Sequence, residues 1–316
     1  MASKSLRFAG LELVVRLNKS ALSMTGAISG RLIAALYERL RSWVRHGRTT
    51  EQLLEEVEIP EDASPEKKAL LERVKSTGWY HSIDLGNSAV TPGAFDHRHV
   101  LHKYALPERM DGLRVLDVAT FDGFWAFEFE RRGAGEVVAL DLERFGDIDL
   151  PPKVRAKMSS EALAEAIGKG FAIARDVLGS KVRREVLSVY DLSPERLGKF
   201  DVVHSGDLLL HLMNPMKALQ NICSVTEKYA LISDYYHADL DRMDSECVMQ
   251  YMGGHTDCVW WKASLSALQQ MILDAGFERI ELLSKFLFGF RGDRYTMNHA
   301  VIKAFPPPKI NSQSTS

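Results

Sequence analysis

The sequence has few cysteines, no long apolar run and no excess of charge of either sign. Its three cysteines, Cys223, Cys247 and Cys258, have neither metal-ligand spacing nor a disulfide framework, which predicts a reducing, cytoplasmic compartment. No apolar stretch approaches the roughly 20 residues that cross a bilayer, so no membrane span is predicted. With 40 Lys and Arg against 42 Asp and Glu, the net charge is −2, and we predict no nucleic-acid partner.

The dinucleotide-binding motif Gly-x-Gly-x-x-Gly is also missing, which argues against a nicotinamide-dependent oxidoreductase. The sequence does contain an apolar run that includes Asp117, a turn that ends at Gly123, a helix, and a second apolar run that ends at Asp141. This order predicts a β-strand, a crossover helix and a neighbouring parallel strand. Ligands bind at the carboxyl ends of such strands, where Asp141 is placed to accept hydrogen bonds from a ribose.

The segment from Asp117 to Gly123, together with Asp141, resembles motif I and the following acidic site of class I S-adenosylmethionine-dependent methyltransferases. That family usually has Asp-x-Gly-x-Gly-x-Gly, whereas Ala119 and Phe121 occupy the first two glycine positions here. Glycine is favoured there because it accepts positive φ and lets the backbone approach a ligand closely. A methyltransferase-like protein that binds ligands without catalysis is therefore kept as an alternative.

Alternating strands and helices predict an α/β fold. The expected architecture is a Rossmann-like class I methyltransferase sheet, mainly parallel with an antiparallel final strand, and an N-terminal helical extension. Five strands are predicted near residues 114–118, 136–140, 185–189, 201–204 and 229–233, with a closing antiparallel pair at 280–286 and 295–304. A long helical insertion is expected at 152–178 and an irregular segment at 234–261.

Four regions are predicted along the chain. Residues 1–78 form the helical extension, with an apolar stripe from Arg31 to Arg45, and either cap the active site or form a homodimer surface. Within it, Ser64 is expected to cap a helix that starts at Pro65. Residues 79–110 cover the cofactor and acceptor, residues 111–305 form the methyltransferase core, and residues 306–316 form a disordered tail.

A second motif follows the fourth core strand, where Ser205 and Gly206 lead through His211 to an Asn-Pro pair. Together with the segment that starts at Trp79 and the pair Trp260-Trp261, it resembles a methyltransferase subfamily. That subfamily includes the bacterial tRNA wobble-uridine carboxymethyltransferase and many small-molecule methyltransferases. The resemblance implies S-adenosyl-L-methionine as the cofactor, held by Asp117, Ala119, Thr120, Phe121, Gly123, Asp141, Leu142, Tyr190, Asp191, Ser205 and Gly206. Asp191 is alternatively the N-cap of a following helix.

Candidates for catalysis and acceptor binding lie near the predicted strand ends. A hydroxyl or carbon acceptor needs a base close to the methyl group. The catalytic candidates are His211, Tyr235 and His237, and the acceptor-binding candidates are Trp79, His81, Tyr236 and Trp260. His211 alternatively caps its helix, Trp260 alternatively packs in the core, and His204 is expected to be a buried strand residue.

A metal site is not predicted. The acidic and histidine side chains that follow the fifth strand match no rigid ligand spacing; they are His237, Asp239, Asp241, His255 and Asp257.

The sequence therefore predicts an S-adenosylmethionine-dependent methyltransferase that acts on a small, natural-product-like acceptor by in-line transfer. The wobble-uridine enzymes use a lysine in the segment that matches residues 91–98 to hold a carboxylated cofactor. Asp96 stands near that position here, which argues for ordinary S-adenosylmethionine. A tRNA-modifying (carboxy)methyltransferase is kept as the alternative function.

Overall fold

The computed structural model describes residues 2–8, 11–17, 50–242, 247–253, 258–292 and 296–308. The chain divides into two units, Met1–His46 and Gly47–Ser316. In the first unit, strand β1 (Ala2–Phe8) pairs antiparallel with β2 (Leu11–Leu17), so the helical prediction is wrong for these residues. The stretch 11–17 contains adjacent valines, whose branched side chains favour strands. The predicted helix at 31–45 lies outside the described residues.

The second unit starts with two helices, α1 (Thr50–Glu55) and α2 (Pro65–Lys75). The cap predicted for α2 is confirmed, because the Ser64 side chain accepts a hydrogen bond from the Lys67 amide and Pro65 occupies the first turn. Leu71 and Val74 of α2 are buried in the same core as the sheet. The boundary predicted after residue 78 therefore falls inside this unit.

Seven of the described strands form one sheet, in the order β10-β11-β7-β6-β3-β4-β5. They are β3 (Arg114–Val118), β4 (Glu136–Asp141), β5 (Arg183–Val186), β6 (Phe200–Gly206), β7 (Thr226–Tyr236), β10 (Arg279–Phe288) and β11 (Met297–Phe305). The five strands from β3 to β7 are mutually parallel, whereas β11 runs antiparallel to both β7 and β10. The predicted mainly parallel sheet with an antiparallel final strand is confirmed.

Helices cover both faces of this sheet, as parallel strands require. One face packs against α2, α3 (Phe124–Arg131) and α6 (Lys169–Val177). The other face packs against α8 (Pro215–Val225) and α9 (Leu265–Asp274). Neighbouring residues of a strand divide between the two cores, so Val115 faces α3 while Leu116 belongs to the opposite cluster. This layering brings the loops after β3, β4, β5, β6 and β7 to one edge of the sheet.

The connections differ in detail from the sequence predictions. The insertion at 152–178 is helical, but it is split into α4 (Pro152–Arg155), α5 (Ser160–Ala164) and α6. A further short helix, α7 (Pro194–Leu197), precedes β6. Within the segment predicted as irregular, β8 (Met249–Tyr251) and β9 (Trp261–Ala263) pair as a short antiparallel ribbon. No described helix is long and apolar enough to cross a bilayer.

Candidate functional site

A cavity of about 350 Å³ opens at the carboxyl ends of β3, β4 and β5. Its volume lies in the range of about 300–1,000 Å³ that is usual for ligand sites. Four of its lining residues, Ala119, Asp141, Leu142 and Tyr190, were predicted from the sequence as cofactor contacts. Five polar or charged residues point to a polar ligand; they are Asp141, Asp147, Asp149, Arg155 and Ser188. Except for Asp141, the sequence motifs do not identify these polar residues.

The turn after β3 has the backbone of a glycine-rich loop without its glycines. Ala119 and Phe121 have φ values of 60° and 53°, in the left-handed region that L-residues rarely adopt. Gly123 has φ 92°, and a Cβ there would lie 2.5 Å from Phe127 and 2.7 Å from Phe171, so glycine is required. The turn therefore keeps the loop shape that the resemblance implies, at a conformational cost on two residues.

Asp141 ends β4 and fixes this turn from the neighbouring strand. Its carboxylate accepts hydrogen bonds from the amides of Phe121, at 2.6 Å, and Leu142, at 2.7 Å. Burial raises the pKa of Asp141 to about 6, although both amide hydrogen bonds act in the opposite direction. A buried carboxylate on the cavity wall is a strong acceptor for ligand hydroxyl groups.

Asp149, which lines the cavity, forms hydrogen bonds with three other segments of the chain. Its carboxylate accepts hydrogen bonds from the Tyr190 hydroxyl, at 2.6 Å, and from the Met213 amide, and its carbonyl accepts one from the Trp260 indole. Trp260, predicted as an acceptor contact, is 5% exposed and takes part in these hydrogen bonds. These hydrogen bonds join the loop after β4, the loop after β5 and the segment before β9.

Asp117, Thr120 and Ser205 lie behind the cavity wall. The Asp117 carboxylate accepts from the Thr120 hydroxyl and faces Nδ1 of His204 at 2.7 Å, and all three side chains are about 1% exposed. His204 is a buried strand residue, as the sequence predicted. The Ser205 hydroxyl is buried without a partner among the described residues. None of these side chains lines the cavity.

The segment that starts at Trp79 is attached to the turn after β3 by a residue that the sequence analysis missed. The Asp122 carboxylate accepts from the amides of Tyr80 and His81, both at 2.8 Å, and also contacts the His81 ring. His81 is thus engaged in attachment, and Trp79 packs in the core with its indole bonded to the Val74 carbonyl. Neither residue lines the described cavity, and their acceptor-binding role stays a prediction.

Two other predicted residues also differ from their expected roles. Asp191 is exposed and does not line the cavity, and the N-cap of α7 is Ser193. Burial lowers the pKa of His211, but contacts with Cys258 outweigh this effect and raise that pKa to about 9. A side chain protonated at neutral pH is a poor base. His211 does not cap α8 either, since that position belongs to Asn214.

The ends of β6 and β7 carry a second group of polar residues beside Gly206. Asp234 ends in a buried carboxylate that accepts from the Leu209 and Tyr235 amides. Burial and the neighbouring Asp207 carboxylate raise the pKa of Asp234 to about 7. Tyr235 is 8% exposed, and its hydroxyl has no partner among the described residues. Asp207 follows β6 directly, and Leu208, the residue after it, lines the cavity.

Tyr236 and His237 follow at the end of the same strand. Both side chains are half-buried, and the His237 amide donates to the Ala263 carbonyl at 2.8 Å. Two of the five residues considered as metal ligands, His255 and Asp257, lie outside the described residues. In the part of the chain that the structure describes, no three His, Cys, Asp or Glu side chains are grouped to hold a metal ion.

Comparison with known proteins supports the fold. No family model matches the sequence, and no curated protein sequence matches it significantly. The N-terminal domain of EvdMO1, solved with SAH bound, is similar with a TM-score of 0.51 and 16% identity, over 79% of this chain and all (100%) of that domain. At this identity the similarity shows the fold alone, a Rossmann-like, mainly parallel sheet covered by helices.

Two further solved structures have TM-scores below that of the EvdMO1 domain. Magnesium protoporphyrin IX methyltransferase from Synechocystis PCC 6803, with bound SAH, has a TM-score of 0.44 and 13% identity over 83% of this chain and 96% of that one. A putative S-adenosylmethionine-dependent methyltransferase from Listeria monocytogenes has a TM-score of 0.43 and 16% identity, over 66% of this chain and 97% of the other.

Proposed function

We propose that this chain is an S-adenosylmethionine-dependent methyltransferase that acts on a small-molecule acceptor. The observation that carries the proposal is the cavity at the carboxyl ends of β3 to β5, with a buried carboxylate, Asp141, on its wall. In doubly wound sheets this edge is the ligand-binding position. The similarity to a fold solved with SAH bound is consistent with it.

The residues present fit the cofactor. The cavity offers Asp141 for the ribose hydroxyls, and Leu142, Val189 and Tyr190 as an apolar cleft for a flat base. The positive φ at Ala119 and Phe121 shapes the turn for close approach of a ligand to the backbone. When bound, S-adenosylmethionine supplies an activated methyl group. The protein's own contribution is to position the acceptor in line with that group and to exclude water.

A small acceptor is favoured over a nucleic acid. The net charge of −2 provides no basic excess to neutralise phosphates. Asp96 is engaged by Arg98 and His99, so the position near which the wobble-uridine enzymes have a lysine carries an internally paired acid. Tight tRNA binding with a steep dependence on salt concentration would contradict this part of the proposal.

Calorimetry with S-adenosylhomocysteine tests cofactor binding directly. We expect 1:1 binding to the full chain, and we expect Asp141→Ala to weaken it by about 1–3 kcal/mol, the scale of a hydrogen bond to a charged group. Asp62→Ala is the matched control, because Asp62 is an exposed acid in the loop before α2. If wild type does not bind, or if the folded Asp141 variant binds equally well, the proposed site is wrong.

A further inference from the structure

Asp207 is the first residue after β6 and directly precedes Leu208, which lines the cavity. Its carboxylate Oδ1 lies 2.9 Å from Nε2 of His299, a fully buried residue of β11. No other described residue forms a hydrogen bond with that carboxylate. One oxygen of Asp207 is thus held by His299, the other has no hydrogen-bond partner among the described residues, and the side chain is 8% exposed.

The backbone at Asp207 is strained. Its φ is 49°, in the left-handed region, and its amide donates to the Ser233 carbonyl at 2.9 Å. The residue before it, Gly206, has no side chain, and a Cβ there would lie 3.1 Å from the His204 ring. The strained residue therefore follows a position that has no room to spare for a side chain. Such strain persists where the surrounding structure imposes it, and it is concentrated at functional sites.

Two buried tyrosines belong to the aromatic cluster that packs on His299. The Tyr235 ring lies 3.9 Å from the His299 ring, and Phe286 stacks on His299 at 5.5 Å and contacts Tyr104 at 5.3 Å. The hydroxyls of Tyr104 and Tyr235 are both buried without partners among the described residues. Burial, and then the Asp207 charge, raise the pKa of each. Unsatisfied buried donors are costly, so a ligand oxygen here would be stabilised.

Aromatic rings connect this cluster to the turn after β3. Tyr80 packs against Phe121 at 5.3 Å and against Phe95 at 4.8 Å, and Phe95 contacts the exposed Phe290 at 4.5 Å. Burial, followed by the charge of Asp207, raises the pKa of Tyr80. Rings of this kind hold a flat aromatic ligand by stacked and edge-to-face contacts.

We propose that Asp207 is a catalytic residue that accepts the proton of a phenolic hydroxyl on an aromatic acceptor, and that His299 is its positioning residue. This inference rests on the proposed methyltransferase function. A phenolic hydroxyl can donate to the carboxylate and accept from a buried tyrosine hydroxyl. Its ring can pack against the aromatic side chains Tyr80, Phe95 and Phe121. A protonated amine beside the same carboxylate would keep its lone pair blocked. An aliphatic alcohol has no ring to form stacked or edge-to-face contacts with these side chains.

The step balances without a further reagent. The acceptor oxygen transfers its proton to the Asp207 carboxylate and forms a bond to the methyl carbon. The carbon–sulfur bond breaks, and its electron pair stays on sulfur. The products are the aryl methyl ether and S-adenosylhomocysteine, and the proton leaves Asp207 for solvent after product release.

Ligand-observed NMR and calorimetry on the full chain saturated with S-adenosylhomocysteine test the inference. The probes are phenol, anisole, which lacks the hydroxyl proton, and benzylamine, which is cationic. We expect phenol to bind more tightly than the other two, and Asp207→Asn to weaken phenol at least tenfold while S-adenosylhomocysteine affinity stays within twofold. Asp62→Asn, at an exposed acid, is expected to change neither affinity. Preference for benzylamine, absence of phenol binding, or an unaffected Asp207 variant would overturn the inference.

Labelled S-adenosylmethionine provides the second readout. We expect wild type to convert phenol to anisole, and Asp207→Asn to lower kcat about 100-fold or more, as loss of a general base does. His299→Phe should lower kcat with little change in KM, whereas His299→Gln, which keeps a donor, should recover most of that loss. Equal rates in the two His299 variants would remove the positioning role. If S-adenosylhomocysteine does not bind wild type, the proposed function fails; if only phenol fails to bind, the inference alone fails.

Discussion

The Asp117 carboxylate lies 2.7 Å from Nδ1 of His204, across the two parallel strands β3 and β6. Asp117 is the acid of the motif I segment. Its side chain forms hydrogen bonds inside the sheet and does not line the cavity. It ties the turn after β3, through Thr120, to the strand that ends at Gly206. The pair therefore adds a buried side-chain link to the backbone pairing of β3 and β6.

We expect Asp117→Ala to destabilise the protein, because it leaves the buried His204 ring and the Thr120 hydroxyl without their acceptor. The expected loss is about 1–3 kcal/mol of the free energy of unfolding, measured by urea denaturation. Asp62→Ala, at an exposed site, should stay within about 0.5 kcal/mol of wild type. Equal stability of the two variants would mean that the pair contributes nothing.

Asp141 predicts a pH dependence of cofactor affinity. Burial raises its pKa from 3.8 to about 6, and ribose hydroxyls donate to the ionised form, so binding releases a proton. Affinity for S-adenosylhomocysteine should fall about tenfold between pH 7 and pH 5, measured by calorimetry. Asp141→Asn, which does not titrate, should bind more weakly and show a flatter profile. A profile with the same slope in both proteins would assign the titration to another group.

The same pKa predicts an effect on the ligand-free protein. Because the pKa of folded Asp141 is raised, its contribution to stability is greatest below pH 3.8 and is lost as the pH rises through about 6. Between pH 5 and pH 8, the free energy of unfolding of wild type should therefore decline relative to that of Asp141→Asn. Urea denaturation at both pH values measures this difference, and parallel curves would contradict it.

Ala119 offers a test of the strained turn. Its φ of 60° costs an L-residue about 1–2 kcal/mol, which glycine avoids, although glycine loses about 0.5–1 kcal/mol of backbone entropy on folding. Ala119→Gly should therefore raise stability by up to about 1 kcal/mol. The control is Ala172→Gly on the exposed face of α6, which should lower stability by about 1 kcal/mol. Destabilisation at both positions would argue that the Ala119 methyl group packs usefully against the cavity.

We expect ligand binding to change hydrogen exchange in two segments that close over the cofactor. S-adenosylhomocysteine should slow exchange in residues 79–99 and in the described parts of 234–261, because closure over a ligand completes a site and excludes water. Tyr190→Phe keeps the ring but removes its hydrogen bond to Asp149, so it should increase exchange near residue 149 without unfolding the sheet. Protection confined to the turn after β3 would place the acceptor elsewhere, beneath the insertion at 152–178.

The sequence by itself determined the sheet and its order of elements. Apolar runs bounded by turn residues place β3 and β4 almost to the residue, and alternating strands and helices predict the parallel topology. Hydrogen bonding and burial along a strand are local consequences of such patterns. Asp141 was placed by the same pattern, at the end of a strand, whereas Ala119 and Tyr190 were predicted from the resemblance to class I methyltransferases.

Only the tertiary structure decided which polar residues face each other. Asp122 and the Tyr80–His81 amides are about 40 positions apart, and Asp207 and His299 are 92 apart, so no periodic pattern links them. Trp260 was predicted to line an acceptor pocket, but its indole donates to the carbonyl of the distant Asp149. A buried polar group takes whichever partner the packed chain brings within reach, and that depends on distant segments meeting at one edge of the sheet.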